Sequence, residues 1–230
     1  MTRVAVTRGV SPAIVRCELV HQERHPIDVA AAERQHRRYE EALRALGCRV
    51  EALPADPDLA DSVFVEDAAI VLDEVAVITR PGAASRRPET ASIARALAPY
   101  RTLVSIEPPG TLDGGDVLRV GRTLYVGLSA RSNQAAIDQL ARVLAPYRYA
   151  VRGVAVHGCL HLKSAITAVG DDTVLLDPRR VEPGSFTGTR SIEIDPREPG
   201  AANALRVGDR VIYPAENPAG HAASYPQTSP

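Results

Sequence analysis

A short module recurs along this chain, and its repetition limits the possible folds more than any other feature. Each copy runs strand, tight turn, strand, loop, helix, closing strand. Turns at Asp73-Glu74, Gly121-Arg122, Gly170-Asp171-Asp172 and Gly208-Asp209 lie about 40 to 50 residues apart, the period of a propeller or solenoid array. In the first copy, 64–72 and 75–79 read as the hairpin, 89–97 as a helix behind Pro88, and 103–106 as the closing strand. The second copy has a hairpin at 117–120 and 123–127, a helix from Asn133 with Ile137, Leu140 and Leu144 on one face, and a strand at 149–156. The third has strands at 162–169, 174–176 and 192–194 with a less helical middle, and the fourth keeps only a hairpin, 204–207 and 210–213.

The N-terminus supplies a strand from Val4, a helix over 29–46 that stops at Gly47, and a strand at 48–53, the second half of a fifth unit. The expected fold is therefore α/β, a propeller of hairpin–helix–strand modules whose last module is incomplete. Residues 1–214 read as one catalytic domain. Residues 215–230, rich in proline and small residues without apolar periodicity, read as a disordered tail.

Charge excludes several functions. Twenty-seven Lys+Arg against 28 Asp+Glu give a net charge of −1, which argues against nucleic acid as a partner. No apolar run reaches membrane-spanning length and no secretory leader opens the chain, so a soluble cytoplasmic protein with no membrane partner is expected. Cys17, Cys48 and Cys159 have no spacing that frames a metal. Sparse, odd thiols suit a reducing compartment.

The unusual polar clusters sit at the hairpin mouths. Read as a strand, Asp61-Ser62-Val63-Phe64-Val65-Glu66-Asp67 puts Asp61 and Asp67 on one face and Glu66 on the other. Acids there suit a cationic ligand, or equally solvated charge at strand ends. The loop Thr79-Arg80-Pro81-Gly82-Ala83-Ala84-Ser85-Arg86-Arg87 carries arginines able to fork onto carboxylates, and Arg131 recurs at the corresponding place in the second copy. A solvated basic loop is the plainer account of the first. Gly110-Thr111-Leu112-Asp113-Gly114-Gly115-Asp116 surrounds acids with glycines that permit close approach, or simply a tight turn. His161 stands at the third mouth, where an acid-oriented imidazole would serve as a base beside a nucleophilic cysteine.

Seven ordered stretches, with Glu33-Arg34-Gln35-His36 before them, carry a resemblance. They are Phe64-Val65-Glu66-Asp67, Ile78-Thr79-Arg80-Pro81-Gly82-Ala83, Ser85-Arg86-Arg87, Leu112-Asp113-Gly114-Gly115-Asp116, Val126-Gly127-Leu128-Ser129-Ala130-Arg131, Leu160-His161-Leu162-Lys163-Ser164 and Ala201-Ala202-Asn203. Together they resemble the dimethylarginine dimethylaminohydrolases, guanidino-group-modifying enzymes with the pentein fold. The resemblance implies hydrolysis of Nω-methylated arginine to citrulline and a methylamine, with no cofactor or metal and a possible homodimer. It gives His161 the acid/base role and Asp113 its orientation. Asp67, helped by Glu66, would grip the guanidinium, Arg86 and Arg131 the α-carboxylate, and Asp61 the α-amino end, beneath a mobile lid at 17–27.

The family's nucleophilic cysteine lies on a last strand that these residues do not match, and Cys17, Cys48 and Cys159 fall elsewhere. Impaired turnover is the expectation that follows. A non-catalytic binder of arginine-like ligands and an arginine deiminase-like activity stay open as alternatives.

Overall fold

The computed structural model describes residues 3–20, 23–198 and 200–213; the tail assigned to 215–230 lies outside them. Three modules share one topology. In the first, β3 (Ala69–Val71) pairs antiparallel with β4 (Val75–Ile78), and β4 pairs parallel with β5 (Thr102–Ser105) after α2 (Glu89–Leu97). The second repeats this with β6 (Val117–Val120), β7 (Thr123–Leu128), α3 (Gln134–Leu144) and β8 (Ala150–Ala155). The third has β9 (Ile166–Ala168), β10 (Thr173–Leu176) and β11 (Arg190–Glu193), with a short 3-10 turn, Pro183–Ser185, where the others carry a helix.

Two half modules flank these. β1 (Arg3–Arg8) and β2 (Cys48–Leu53) form a parallel pair around α1 (Val29–Ala45), and β12 (Leu205–Val207) and β13 (Arg210–Ile212) form an antiparallel hairpin. The ends of the described chain meet. A Cβ on Gly208 would lie 3.0 Å from the Arg3 guanidinium nitrogens, so the β12–β13 turn rests beside β1.

Local chemistry explains the elements. Asp28 caps α1 by accepting from the Ala31 N–H, and Asn133 caps α3 by accepting from Ala136. Helix-spaced Ile137, Leu140 and Leu144 bury against Leu124 and Val126 of the central strand β7, and Ile93 and Leu97 of α2 pack on Ala76 and Ile78. Each buried leucine contributes about 1.5–3 kcal/mol of transfer free energy. In the first two modules the helix thus fastens the sheet from one side. Among the described residues no helix is long and apolar enough to cross a membrane.

Two expectations need correction. The run before β3 is not strand: Val65–Ala68 is a 3-10 turn and strand begins only at Ala69, and likewise Leu162–Ser164 is a 3-10 turn before β9. A third 3-10 turn, Gly114–Asp116, precedes β6. These turns bend the chain so that carboxylates and the imidazole leave the sheet plane, which an alternating strand would not allow.

Candidate active site

All three modules contribute to one cavity of about 610 Å³, lined in part by Asp61, Phe64, Asp67 and Arg86 of the first, Arg131 of the second and His161 of the third. A neighbouring cavity of about 650 Å³ shares Phe64, Asp67 and His161 with it and extends along β1 and α1.

His161 sits among three carboxylates. Its Nε2 lies 3.7 Å from Asp67 Oδ1 and 3.9 Å from Asp113 Oδ2, and its Nδ1 lies 3.6 Å from Asp116 Oδ2. The ring fits because residue 115 is glycine: a Cβ there would stand 2.9 Å from the imidazole and 2.7 Å from Asp67 Oδ1. Burial alone would push the His161 pKa down, but Asp116, Asp67 and Asp113 together hold it above the ordinary histidine value. Asp113 thus stands on the Nε2 side of the ring and Asp116 on the Nδ1 side.

Asp67 is buried, and burial pushes its carboxyl up. The charges of His161 and Arg86, with hydrogen bonds from Arg86 Nη1 (2.6 Å) and the Gly115 N–H (2.8 Å), outweigh that and hold it below the usual range. Asp113 goes the other way, pushed up mainly by burial despite accepting from the Gly82 N–H at 2.8 Å. Two carboxylates with opposed shifts beside one imidazole form a site suited to acid–base work.

The two arginines differ. Arg131 is buried, its Nη1 stands 3.6 Å from Asp113 Oδ2, and neither atom has a hydrogen-bond partner. Arg86 instead commits most of its fork internally: Nη1 to Asp67, Nε and Nη2 to Glu89, and Nη2 to the Asp61 and Phe64 carbonyls. Of the pair expected to hold a carboxylate, Arg131 is therefore the one with a free donor, and Arg86 braces Asp67.

Glu66 also departs from expectation. It turns away from Asp67 to accept from Lys163 Nζ at 2.5 Å, with its side chain 60% exposed. Asp61 borders the cavity with both oxygens taken by the Glu18 N–H at 3.1 and 3.2 Å. That contact seats the first part of the 17–27 segment, of which residues 21 and 22 lie outside the described residues, over the site.

Asp67, Asp113 and His161 bring ligand atoms within 4.8 Å of one another, a spacing a cation could bridge. Arg86 and the Gly115 amide already occupy the Asp67 oxygens, and the Gly82 amide occupies Asp113 Oδ1. The remaining room suits an organic cation with its own N–H groups better than a compact ion.

Two of the cysteines, Cys17 and Cys159, line this cavity; Cys159 Sγ lies 3.3 Å from the His161 carbonyl, and burial pushes its thiol pKa up, against an opposing pull from Arg180. Cys17, though its segment reaches the rim, is buried against Val10 and Ile14, and Cys48 borders the neighbouring cavity.

Sequence reasoning passed over Asp116, Ser129 and Ser132, which meet behind His161, and Arg180 on the cavity wall. Arg180 had a legible signal: an arginine after the second hairpin strand, as in the two preceding modules.

Comparison with known proteins bears directly on this constellation. The arginine deiminase family model matches residues 55–206. The N(G),N(G)-dimethylarginine dimethylaminohydrolase of Streptomyces coelicolor is 43% identical over 220 residues, covering 94% of this chain and 84% of the relative. The chain belongs to the dimethylarginine dimethylaminohydrolase family. Its namesake in Pseudomonas aeruginosa is 36% identical over 193 residues, 83% of this chain and 76% of that one. A cysteine-to-serine mutant of the Pseudomonas dimethylarginine dimethylaminohydrolase, solved with citrulline, superposes with a TM-score of 0.91 at 33% identity, covering 96% of this chain and 88% of the other. The N-terminal domain of a cyanobacterial arginine dihydrolase, 17% identical with a TM-score of 0.75, covers 90% of this chain and 81% of its own, and shares the fold. The family's α/β pentein architecture is thus the fold of this chain.

Proposed function

We propose that the cavity binds an Nω-methylated arginine and serves hydrolysis at its guanidino carbon, giving citrulline and a methylamine, with residues 1–214 as the catalytic unit. The convergence of Asp67, Arg131 and His161 on one cavity, with Asp113 buried behind them 3.6 Å from Arg131 and 3.9 Å from His161, carries this reading. Names of relatives above 30% identity support the substrate class, whereas the arginine dihydrolase, at 17%, speaks for fold alone.

The chemistry assigns each group a task. A guanidinium carbon is a poor electrophile, so its plane must be fixed before attack. Asp67, braced by Arg86, would hold the guanidinium nitrogens, and Asp113 would orient His161. Arg131 would take the α-carboxylate, and Asp61 with the Glu18 segment would border the α-amino end. His161 would protonate the departing amine and later activate water.

A covalent route also needs a thiolate; of the two thiols on the cavity wall, Cys17 is buried against Val10 and Ile14 and Cys159 has a raised pKa. Turnover by these 230 residues is therefore expected near background, because losing a covalent nucleophile removes on the order of 10⁶-fold of rate.

Calorimetry tests binding. Saturable heat with asymmetric dimethylarginine, lost in Asp67→Ala, supports the reading; no heat with dimethylarginine, arginine or citrulline overturns it. Citrulline release abolished by Cys159→Ala would overturn the expectation of impaired turnover. Sedimentation on the same sample tests the homodimer that the family resemblance implies.

A further inference from the structure

Arg8, the last residue of β1, is a buried cation without a counter-charge. It is 4% exposed, and among the described residues no carboxylate lies within ion-pair distance of it. Acids on the elements packed around it are engaged elsewhere: Glu40 of α1 by Thr7 and Arg44, Glu51 of β2 by Arg49 and Tyr100, and Glu89 of α2 by Arg86. Its hydrogen bonds are few. Nη2 donates to Ser92 Oγ of α2, Nη1 reaches the Pro54 carbonyl only at 3.5 Å, beyond the usual range, and the buried Nε has no partner. Alternation along β1 sets this direction, since Thr7 points to α1 and Arg8 to the other side, toward α2. A guanidinium held this way is costly unless an anion reaches it.

A cavity lies beside it. Arg8, Ser92 and Arg95 line a space of about 540 Å³ between α2 and the segment that follows β2, and it shares no residue with the candidate active site. Ser92 Oγ donates to the Glu89 carbonyl at 3.0 Å while accepting from Arg8, so the hydroxyl holds the guanidinium against the cavity wall. Arg95, nearly one helical turn further along α2, is exposed and makes no hydrogen bond or ion pair among the described residues. Asp56 is the one acid on the wall. Its Oδ1 is engaged by the Asp58 N–H at 3.0 Å, and its carboxylate is not within ion-pair distance of either arginine. Two guanidinium groups thus face a space that holds a single carboxylate.

We infer that this cavity is a second binding site, for a small oxyanion of the phosphate type that takes hydrogen bonds from Arg8 and Arg95. Arginine forks match the oxygens of such an anion, and Arg8 supplies a cation that the fold has already desolvated. Arg95, on a solvent-exposed turn of α2, would close over the anion from the open side. Bound there, the anion would tie the end of β1 to α2, two elements joined in this region by the Arg8–Ser92 contact. Because it would bind the folded chain alone, it would raise stability with its concentration.

Thermal unfolding of the full chain in inorganic phosphate, against chloride at matched pH and ionic strength, tests this together with nitrogen NMR of the arginine Nε–H groups. The melting temperature should rise and saturate, and the Arg8 Nε–H resonance, assigned by its loss in Arg8→Gln, should move with the same midpoint. Arg95→Met, a surface change that leaves the core intact, should weaken phosphate about two- to fivefold. Arg8→Gln should abolish the saturable response; if that variant does not fold, the wild-type titration and Arg95→Met decide alone. Phosphate also stabilises proteins by exclusion from their surface, without saturating. An equal, unsaturated rise in wild type and Arg95→Met with an unmoved Arg8 resonance is that effect and overturns the proposal. A stronger response to acetate than to phosphate overturns the choice of anion. No reading uses methylarginine, so absent binding in calorimetry counts against the proposed function and not against this site.

Discussion

Arg86 and Arg131 occupy corresponding loops of successive modules, yet their surroundings give them different work. Arg86 is locked between Asp67 and Glu89, and breaking a buried network of this kind leaves uncompensated charge. Arg86→Ala should therefore cost about 3–5 kcal/mol of stability, read by chemical denaturation. Arg131 has a donor to spare, so Arg131→Ala should weaken a bound α-carboxylate by about 1.5–3 kcal/mol. Calorimetry with dimethylarginine against its decarboxylated analogue should find the difference only for the ligand that carries the carboxylate. The titrating groups carry a pH signature. Because His161 is held above its ordinary value, its stabilisation is complete below about pH 6.5 and fades as pH rises through the folded-state value. Asp67, held low, stabilises above about pH 3.9 and loses that effect as pH falls through its folded-state value. Denaturation midpoints between neutral and alkaline pH should decline in the wild type and flatten in His161→Asn.

Short 3-10 turns before β3, β6 and β9 place the chemistry, and the helices hold those turns in place. Asn133 shows how one side chain serves both purposes. Its Oδ1 accepts from the Ala136 N–H, capping α3, and from the Thr111 N–H, pinning the segment that leads to Asp113. Asn133→Ala should lower stability by about 1–2 kcal/mol, visible as a lower melting temperature, and should weaken ligand binding because Asp113 loses its anchor. Gly115→Ala isolates the site from the scaffold. The added methyl collides with the His161 ring and Asp67, so dimethylarginine binding should be lost while most of the thermal transition survives.

Across the molecule, cohesion is uneven. β4, β7 and β10 are central strands of three-stranded sheets, and Val75, Ala76, Val77, Leu124, Val126, Val174 and Leu176 on them are fully buried. The β1–β2 and β12–β13 pairs have two strands each among the described residues, with little full burial on β12 and β13. Amide exchange should accordingly be slowest in the three central strands and fastest in β12–β13, since local opening follows buried contact density. Uniform protection across all five sheets would count against this gradient.

Hydrophobic periodicity and turn chemistry are local properties, so the module order, the helices over 29–46 and from Asn133, and the hairpin turns were readable along the chain. The grouping of His161 with Asp67 and Asp113 was expected through family resemblance, and the coordinates bring their polar atoms within 4.8 Å of one another. The bends at Val65–Ala68 and Leu162–Ser164 were not readable, because their apolar residues fit a strand pattern equally well and only packing against neighbouring modules selects the 3-10 turn. Partner choice was also tertiary. Whether Arg86 faces a ligand or Asp67, whether Glu66 joins the acids or Lys163, and which acid meets Nδ1 of His161 depend on groups brought together from distant segments, and a carboxylate's role is set by the charge opposite it.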